Sequence, residues 1–258
     1  MNRIIRRTDV NLIYLQIQTD FVMKRFLRIF AVTAAFMLPL ALSAKSGIEV
    51  GYLNSTYRSK TTGGDITKSS PMSGFYAGVV QDARIVAGLS IQPGLYYSYL
   101  NSAGKEEIPG FNLSRSSTEH MLSIPIHLKY TFDIVPIFNI YVFAGPTLSM
   151  GLGATEKLTA TGEILGNTVS GSVTYNRYSG SVKSDSEDLN DLLDQYMPEG
   201  AMTRFDVLMG GGIGLGLLKF ITVKGGFDYG LLNRYKGDLA DSATLNRMQF
   251  YISLGVRF

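Results

Sequence analysis

Apolar and polar residues alternate one by one along much of this chain. The clearest case is the C-terminus, where Met248, Phe250, Ile252, Leu254, Val256 and Phe258 alternate with Arg247, Gln249, Tyr251, Ser253, Gly255 and Arg257. A period of two is strand geometry, because successive side chains leave a pleated strand on opposite faces. The same period runs through 87–99, 119–132, 138–150, 204–217 and 219–231, and more weakly through 47–54 and 74–81. The pattern predicts eight strands, each with one apolar and one mixed polar face.

A water-soluble sandwich would alternate in the same way, so the connections decide. Links 82–86, 133–137 and residue 218 are brief, whereas 55–73, 100–118, 151–203 and 232–246 are long. Short and long connections alternate strictly, which is an up-and-down arrangement with all short turns at one end. Small outer-membrane barrels have that asymmetry, with short periplasmic turns and long extracellular loops. An open sheet edge is not viable in lipid, where each unpaired backbone group costs several kcal/mol. The expectation is therefore an all-β fold: a closed eight-stranded antiparallel up-and-down transmembrane β-barrel with long extracellular loops and both termini periplasmic.

On this reading the apolar faces meet lipid. Tyr52, Tyr97, Tyr99, Tyr130, Phe132 and Phe258 fall near strand ends, where interfacial aromatic girdles form. The polar faces turn inward and carry Glu49, Lys129, Arg204, Asp206, Lys224, Asp228, Arg247 and Arg257 into the lumen. Unpaired charges there would be costly, so a polar network across the interior is expected. Eight strands enclose a space just wide enough for side chains to fill.

The glycine-rich run FDVLMGGGIGLGL invites a different interpretation, a nucleotide-binding loop. That motif requires G-x-G-x-x-G between a strand and a helix. Here Gly210, Gly212, Gly214 and Gly216 repeat every second residue and alternation resumes after them. They belong to a barrel wall, making room for bulky inward side chains such as Tyr96, Tyr141 and Arg257.

Composition narrows the picture. There is no cysteine, so disulfides and thiolate metal sites are excluded. Residues 1–44 hold six of the 24 basic and two of the 21 acidic residues, leaving 18 basic and 19 acidic residues in 45–258. That remainder carries a net charge of −1 and no basic surface suited to nucleic acid. Within the N-terminal piece, Lys24, Arg25 and Arg28 precede an apolar stretch and the small-residue end ALSA at 41–44, the anatomy of a secretory signal peptide. Ile29–Ala44 is short of the ~20 residues of a spanning helix and contains Pro39. The expected organisation is an extension foreign to the natural product over 1–22, a signal peptide over 23–44 starting at Met23, and a barrel domain over 45–258.

Several stretches resemble the PorT-like outer-membrane β-barrel family. They are MLSIPIHLKYTF (121–132), YVFAGPTLSMGL (141–152), RFDVLMGGGIGLGL (204–217), GFDYGLLN (226–233) and the terminal SLGVRF. The resemblance implies an eight-stranded outer-membrane barrel. It brings no catalytic residues with it and allows a part in an export or assembly machine.

Candidate chemistry is sparse. His120 and His127 lie seven apart on opposite faces of one strand, and no serine sits in a G-x-S-x-G elbow. A His-Ser pair such as His120 with Ser123 leaves a membrane-embedded lipid-modifying enzyme open on spacing. The acidic run Asp185, Glu187, Asp188, Asp191, Asp194 lacks calcium-loop spacing. No cofactor or metal site is predicted. The expected role is non-enzymatic, structural or adhesive, with outer-membrane lipids as surroundings and a possible protein partner at the 151–203 connection. The first half of that connection alternates loosely and predicts a hairpin extending the flanking strands. Its second half predicts a short helix with Leu189, Leu192, Leu193 and Tyr196 on one stripe.

Overall fold

The structure, a computed structural model, describes residues 45–258 except 62, 65, 70, 109–110, 165–166 and 186–201. The proposed extension (1–22), the proposed signal peptide (23–44) and the stripe Leu189, Leu192, Leu193, Tyr196 lie outside the described residues.

The described elements are strands β1 (Lys45–Thr61), β2 (Ile66–Lys68), β3 (Met72–Val86), β4 (Leu89–Ile108), β5 (Phe111–Val135), β6 (Phe138–Ile164), β7 (Asn167–Asn176), β8 (Val182–Ser184), β9 (Phe205–Leu217) and β10 (Ile221–Gly230). A short helix α1 (Asp238–Ser242) and the last strand β11 (Ala243–Arg257) complete the chain. Eight of these strands close a ring: β1 pairs with β3, then β4, β5, β6, β9, β10 and β11 follow, and β11 returns to β1. Every pairing is antiparallel. Closure is completed by the full run from Gly47↔Arg257 to Thr61↔Ala243. Among the described residues no helix is long and apolar enough to cross a membrane; crossing is by strands.

The exposed side of the ring is apolar, as the alternation requires. Ile48, Val50, Phe75, Val79, Leu128, Val142, Ile213, Phe250, Ile252 and Leu254 all point outward, Ile213 with 66% of its surface accessible. Water-soluble monomers rarely expose so extended an apolar surface. Aromatic residues bound it, with Tyr130, Phe132 and Phe258 toward the short turns and Tyr52, Phe75, Tyr97 and Tyr99 toward the other end. On β5 the belt runs from Tyr130 up to His120. Ten residues at ~3.3 Å rise and a tilt of ~40° span roughly 25 Å, the height of a lipid-facing band.

The short turns lie where expected, but the long connections are more ordered than loops. Leu218 and Lys219 take the β9–β10 turn with positive φ of 52° and 67°. At the opposite end, β4 and β5 stay paired to Ile108↔Phe111, and β6 stays paired with β5 to Phe111↔Gly162. β7 then returns along β6 from Ile164↔Asn167, and β8 adds to its edge. The connection 100–118, expected as a loop, and the first half of 151–203, expected as a hairpin extending the flanking strands, thus form a ribbon of strands standing above the barrel. The serines and threonines that resemble loop residues also suit a solvated strand.

A one-residue bulge sets the faces of that ribbon. His120 pairs with Gly153 and Met121 with Gly151, so Leu152 is the extra residue. Past it the parity of β6 reverses: Ala154 is fully buried, and Thr155 moves to the outward side beside Thr118. Bulges re-aim side chains in this way.

Candidate functional site

The interior is the chemically richest part of the molecule, and two ionic clusters occupy it. The first lies toward the short turns. Glu49 on β1, with no accessible surface, accepts from Lys224 Nζ on β10 and from Tyr96 Oη on β4, each at 2.6 Å, and is paired with Arg257 on β11. Arg257 Nε also reaches Asp82 Oδ2 on β3 at 3.2 Å, and Lys129 Nζ on β5 reaches Asp82 Oδ1 at 2.7 Å. Lys224–Glu49–Arg257–Asp82–Lys129 is therefore one chain of ion pairs linking five strands. Lys224 further sits over the rings of Tyr96 and Phe143, and Lys129 over Tyr141. Alternating charge compensates the desolvation that isolated ions would suffer there.

The second cluster closes the ribbon end of the ring. Buried Glu119 on β5 accepts from Tyr57 Oη at 2.7 and 2.8 Å and from Tyr178 Oη at 2.7 Å. Arg234 lies 3.7 Å and Arg177 4.0 Å from its carboxylate. Arg234 also lies 3.5 Å from Asp206 and donates to Tyr178 Oη at 3.2 Å and to the Thr203 carbonyl at 3.2 Å. Tyr178 comes from the turn after β7, and Gly151 admits it, because a Cβ there would fall within its ring. Burial, followed by the Glu119 charge, holds the Tyr178 phenol well above its usual range, so it remains a neutral donor. Arg234 comes from the segment after β10, which Asn233 braces through bonds to Ala243 O and Leu245 N. Two segments outside the barrel wall are thus pinned into its mouth.

Between the clusters lie Asp228, bonded to Gln249 at 2.7 Å, and an aromatic layer in which Tyr76 meets Tyr96 and Tyr251 edge-on. A cavity of about 50 Å³ remains, bordered by His127, Lys224, Asp228, Ser98 and Thr147. It has room for a few waters, and Leu53, Pro125 and the rings of Tyr76, Tyr96 and Tyr251 complete its wall. It is not a channel.

Of the eight charges assigned to the lumen from sequence, Glu49, Asp206, Lys224, Asp228, Arg247 and Arg257 are buried, and Lys129 is nearly so. Arg204 is the correction. It precedes β9 in a bend, donates to the Gly151 and Leu152 carbonyls and lies over the Tyr178 ring, so it braces the mouth and takes no part in the lumen pairs. Arg247 joins neither carboxylate cluster directly, donating instead to Ser149 at 3.2 Å and to the Met121 sulfur. The glycine run needs a second correction. Gly214 makes room for Tyr141 as expected, while Gly210, Gly212 and Gly216 accommodate Asp228, Phe143 and Asn139. Tyr96 and Arg257 lie instead against Gly78 and Gly94, and against Gly47.

Asp82, Glu119, Arg177, Tyr178 and Arg234 were absent from the expected network. Glu119 had a usable signal, since it shares the polar parity of Ser123 and His127. The others lie in links or at strand ends, where alternation carries no facing information.

His120 and Ser123 are not brought together. Ser123 is buried in the lumen and bonded to Ser149 at 3.1 Å. His120 faces outward, with Tyr97 Oη 2.6 Å from its Nδ1. His127 faces inward against Phe143. Among the described residues no group of three or more His, Asp or Glu side chains is placed to hold a metal.

Comparison with known proteins gives the fold a family. Ail of Yersinia pestis, in complex with a heparin analogue, matches at 13% identity over 84% of this chain and 99% of its own, with a TM-score of 0.40. Neisserial surface protein A matches at 11% identity over 82% and 97%, TM-score 0.35. The outer membrane enzyme PagL matches at 11% identity over 78% and 97%, TM-score 0.37. No curated protein sequence matches. The model of the outer membrane protein β-barrel domain matches residues 36–235, so this chain belongs to that family and is an integral protein of the outer membrane.

Proposed function

We propose that the protein is a non-enzymatic outer-membrane barrel that acts in surface interaction, with its ribbon end outside the cell and its termini and short turns in the periplasm. The observation that carries this reading is the division of labour along the barrel axis. The interior is closed by two ionic clusters, so the molecule offers no path for solutes. Among the described residues the elaborated end is the one where β4 to β7 rise well beyond the apolar belt. Binding residues tend to sit on segments held by a rigid scaffold, and Tyr178, Arg234 and Arg204 fix this rim to the barrel. The resemblance to PorT-like barrels supports a more specific form of the same reading, in which the partner at the 151–203 connection is a subunit of an export or assembly machine.

The test uses the absence of native cysteine. Lys157→Cys on the ribbon and Lys219→Cys in the β9–β10 turn are probed on intact cells with a membrane-impermeant maleimide. The reading expects labelling at 157 only; labelling at 219 only overturns it. Affinity capture from detergent-solubilised membranes then separates the two forms. Stoichiometric co-purification of other membrane proteins favours the machine component, and capture of the barrel alone favours an independent surface protein.

A further inference from the structure

The ribbon has two faces, and the bulge at Leu152 decides which side chains belong to each. Below the bulge, the outward side of β4, β5 and β6 carries Tyr97, Tyr99, His120, Leu122 and Met150, the upper edge of the lipid-facing belt. Above it, the same side of the sheet continues without a break but changes chemistry. The next rung outward is Asn101↔Thr118↔Thr155, followed by Ser116↔Lys157↔Thr174↔Lys183 and then Lys105↔Ser114↔Thr159. Each rung stands roughly 5 Å higher along the axis. Lys105, Lys157 and Lys183 are exposed, and Thr118, Thr155 and Thr159 are half-exposed. The one carboxylate among the described side chains of this face, Asp185, is engaged by the hydroxyl and amide of Ser172. The result is a flat array of hydroxyls and ammonium groups within one rung of the lipid interface.

We propose that this face is a contact site for the phosphorylated saccharide headgroups of the glycolipid leaflet around the barrel. The inference rests on the orientation proposed above and adds an occupant. Three arguments select it. The face is continuous with the lipid-contacting surface, so whatever projects from the adjacent leaflet meets it first. Its threonines, serines and asparagine match the hydroxyl-rich edges of sugars, which both donate and accept. Its lysines match phosphate, and near a charged surface each such cation contributes about a fivefold preference. The opposite face differs: Leu113, Leu158, Ala160 and Val173 share it with the Arg115–Glu156 pair at 2.5 Å. The ribbon is therefore two-sided, and only its outward side has the chemistry of a headgroup layer.

The experiment uses the full chain refolded into phosphatidylcholine nanodiscs that contain trace fluorescent lipopolysaccharide. A fluorophore at Ser170→Cys, exposed on the same face, reports energy transfer. Lipopolysaccharide is expected to concentrate at the ribbon roughly tenfold or more over fluorescent phosphatidylglycerol. Dephosphorylated lipopolysaccharide should lose most of that preference, and the triple variant Lys105→Glu, Lys157→Glu, Lys183→Glu should abolish it while keeping a heat-modifiable barrel. Equal enrichment of phosphatidylglycerol, or an unchanged preference in the triple variant, overturns the proposal. Failure here with labelling at 157 on intact cells refutes the glycolipid site alone; labelling only at 219 refutes the orientation beneath it.

Discussion

Glu49 shows how a single residue acts in this molecule. It is the one carboxylate that joins Lys224 and Arg257, and its other oxygen contact is the Tyr96 hydroxyl. Glu49→Ala leaves buried Lys224 without its counter-charge and Arg257 with Asp82 alone, and breaking a buried pair from one side costs about 3–5 kcal/mol. Urea unfolding of the barrel in detergent micelles, followed by gel shift, should show a loss of that size, whereas Lys105→Ala on the ribbon should show none. The glycine run is open to the same kind of measurement. A Cβ at Gly214 would fall against the Tyr141 ring, so Gly214→Ala should cost about 1–3 kcal/mol. Pairing it with Tyr141→Leu should recover part of that loss, and strictly additive costs would show that the two positions do not share space. Alternation alone showed that these residues face inward. Which inward residue fills the space above which glycine depends on the stagger between strands, which alternation does not encode. That is why Tyr141 was legible beside the run, whereas Phe143 and Asn139 were not.

The informative features at the scale of elements are the departures from regular alternation. Leu218 and Lys219 both hold left-handed backbone in a turn that prefers Asn-Gly. Leu218→Asn with Lys219→Gly should stabilise the barrel by about 1 kcal/mol or more, seen as a higher urea midpoint. Leu152 matters differently, because it reverses the facing of everything beyond it on β6. Deleting Leu152 should remove only the extra residue, keeping Met121 opposite Gly151 and His120 opposite Gly153, so Ala154 stays inward and Thr155 outward. Trypsin digestion of the refolded variant should then leave the ribbon as resistant as in the parent chain, and new cuts within the ribbon would show that the bulge is needed for its pairing. The ribbon itself should be dispensable for the barrel. Glu156 and Tyr175 are register partners, so replacing 157–174 with Asn-Gly should leave the heat-modifiable band in place. The loose alternation after Gly151 made the extension of β6 into a hairpin legible, whereas the bulge and the length of β4 and β5 were not. A bulge leaves no mark in composition, and solvated strands rich in Ser, Thr and Gly resemble loops.

At the scale of the whole molecule, the strongest feature is the separation of an apolar exterior from an ionic interior. It was legible because it is written along every strand: eight segments, alternating faces, and connections that are short at one end and long at the other. The ring closes with each strand in chain order, and β1 meets β11 over fifteen register pairs from Gly47↔Arg257 to Thr61↔Ala243. What alternation could not supply is the plugging of the mouth, since Tyr178 and Arg234 arrive from connecting segments. With both clusters in place, planar-bilayer recordings of the purified protein should show no stable large-conductance channel, and a wide ohmic pore would contradict the filled interior.

The central claim, that β11 spans lipid with one face outward, is tested most directly by parallax quenching. Single cysteines are placed at Gln249, Phe250, Ile252, Ser253 and Leu254 of the otherwise cysteine-free chain, labelled with a small fluorophore and refolded into liposomes containing mid-chain nitroxide lipid. The outward residues Phe250, Ile252 and Leu254 are exposed in the apolar belt, while Gln249 and Ser253 are buried in the lumen. The account predicts strong quenching at 250, 252 and 254 and weak quenching at 249 and 253. Uniform quenching, or none at any of the five positions, would contradict it.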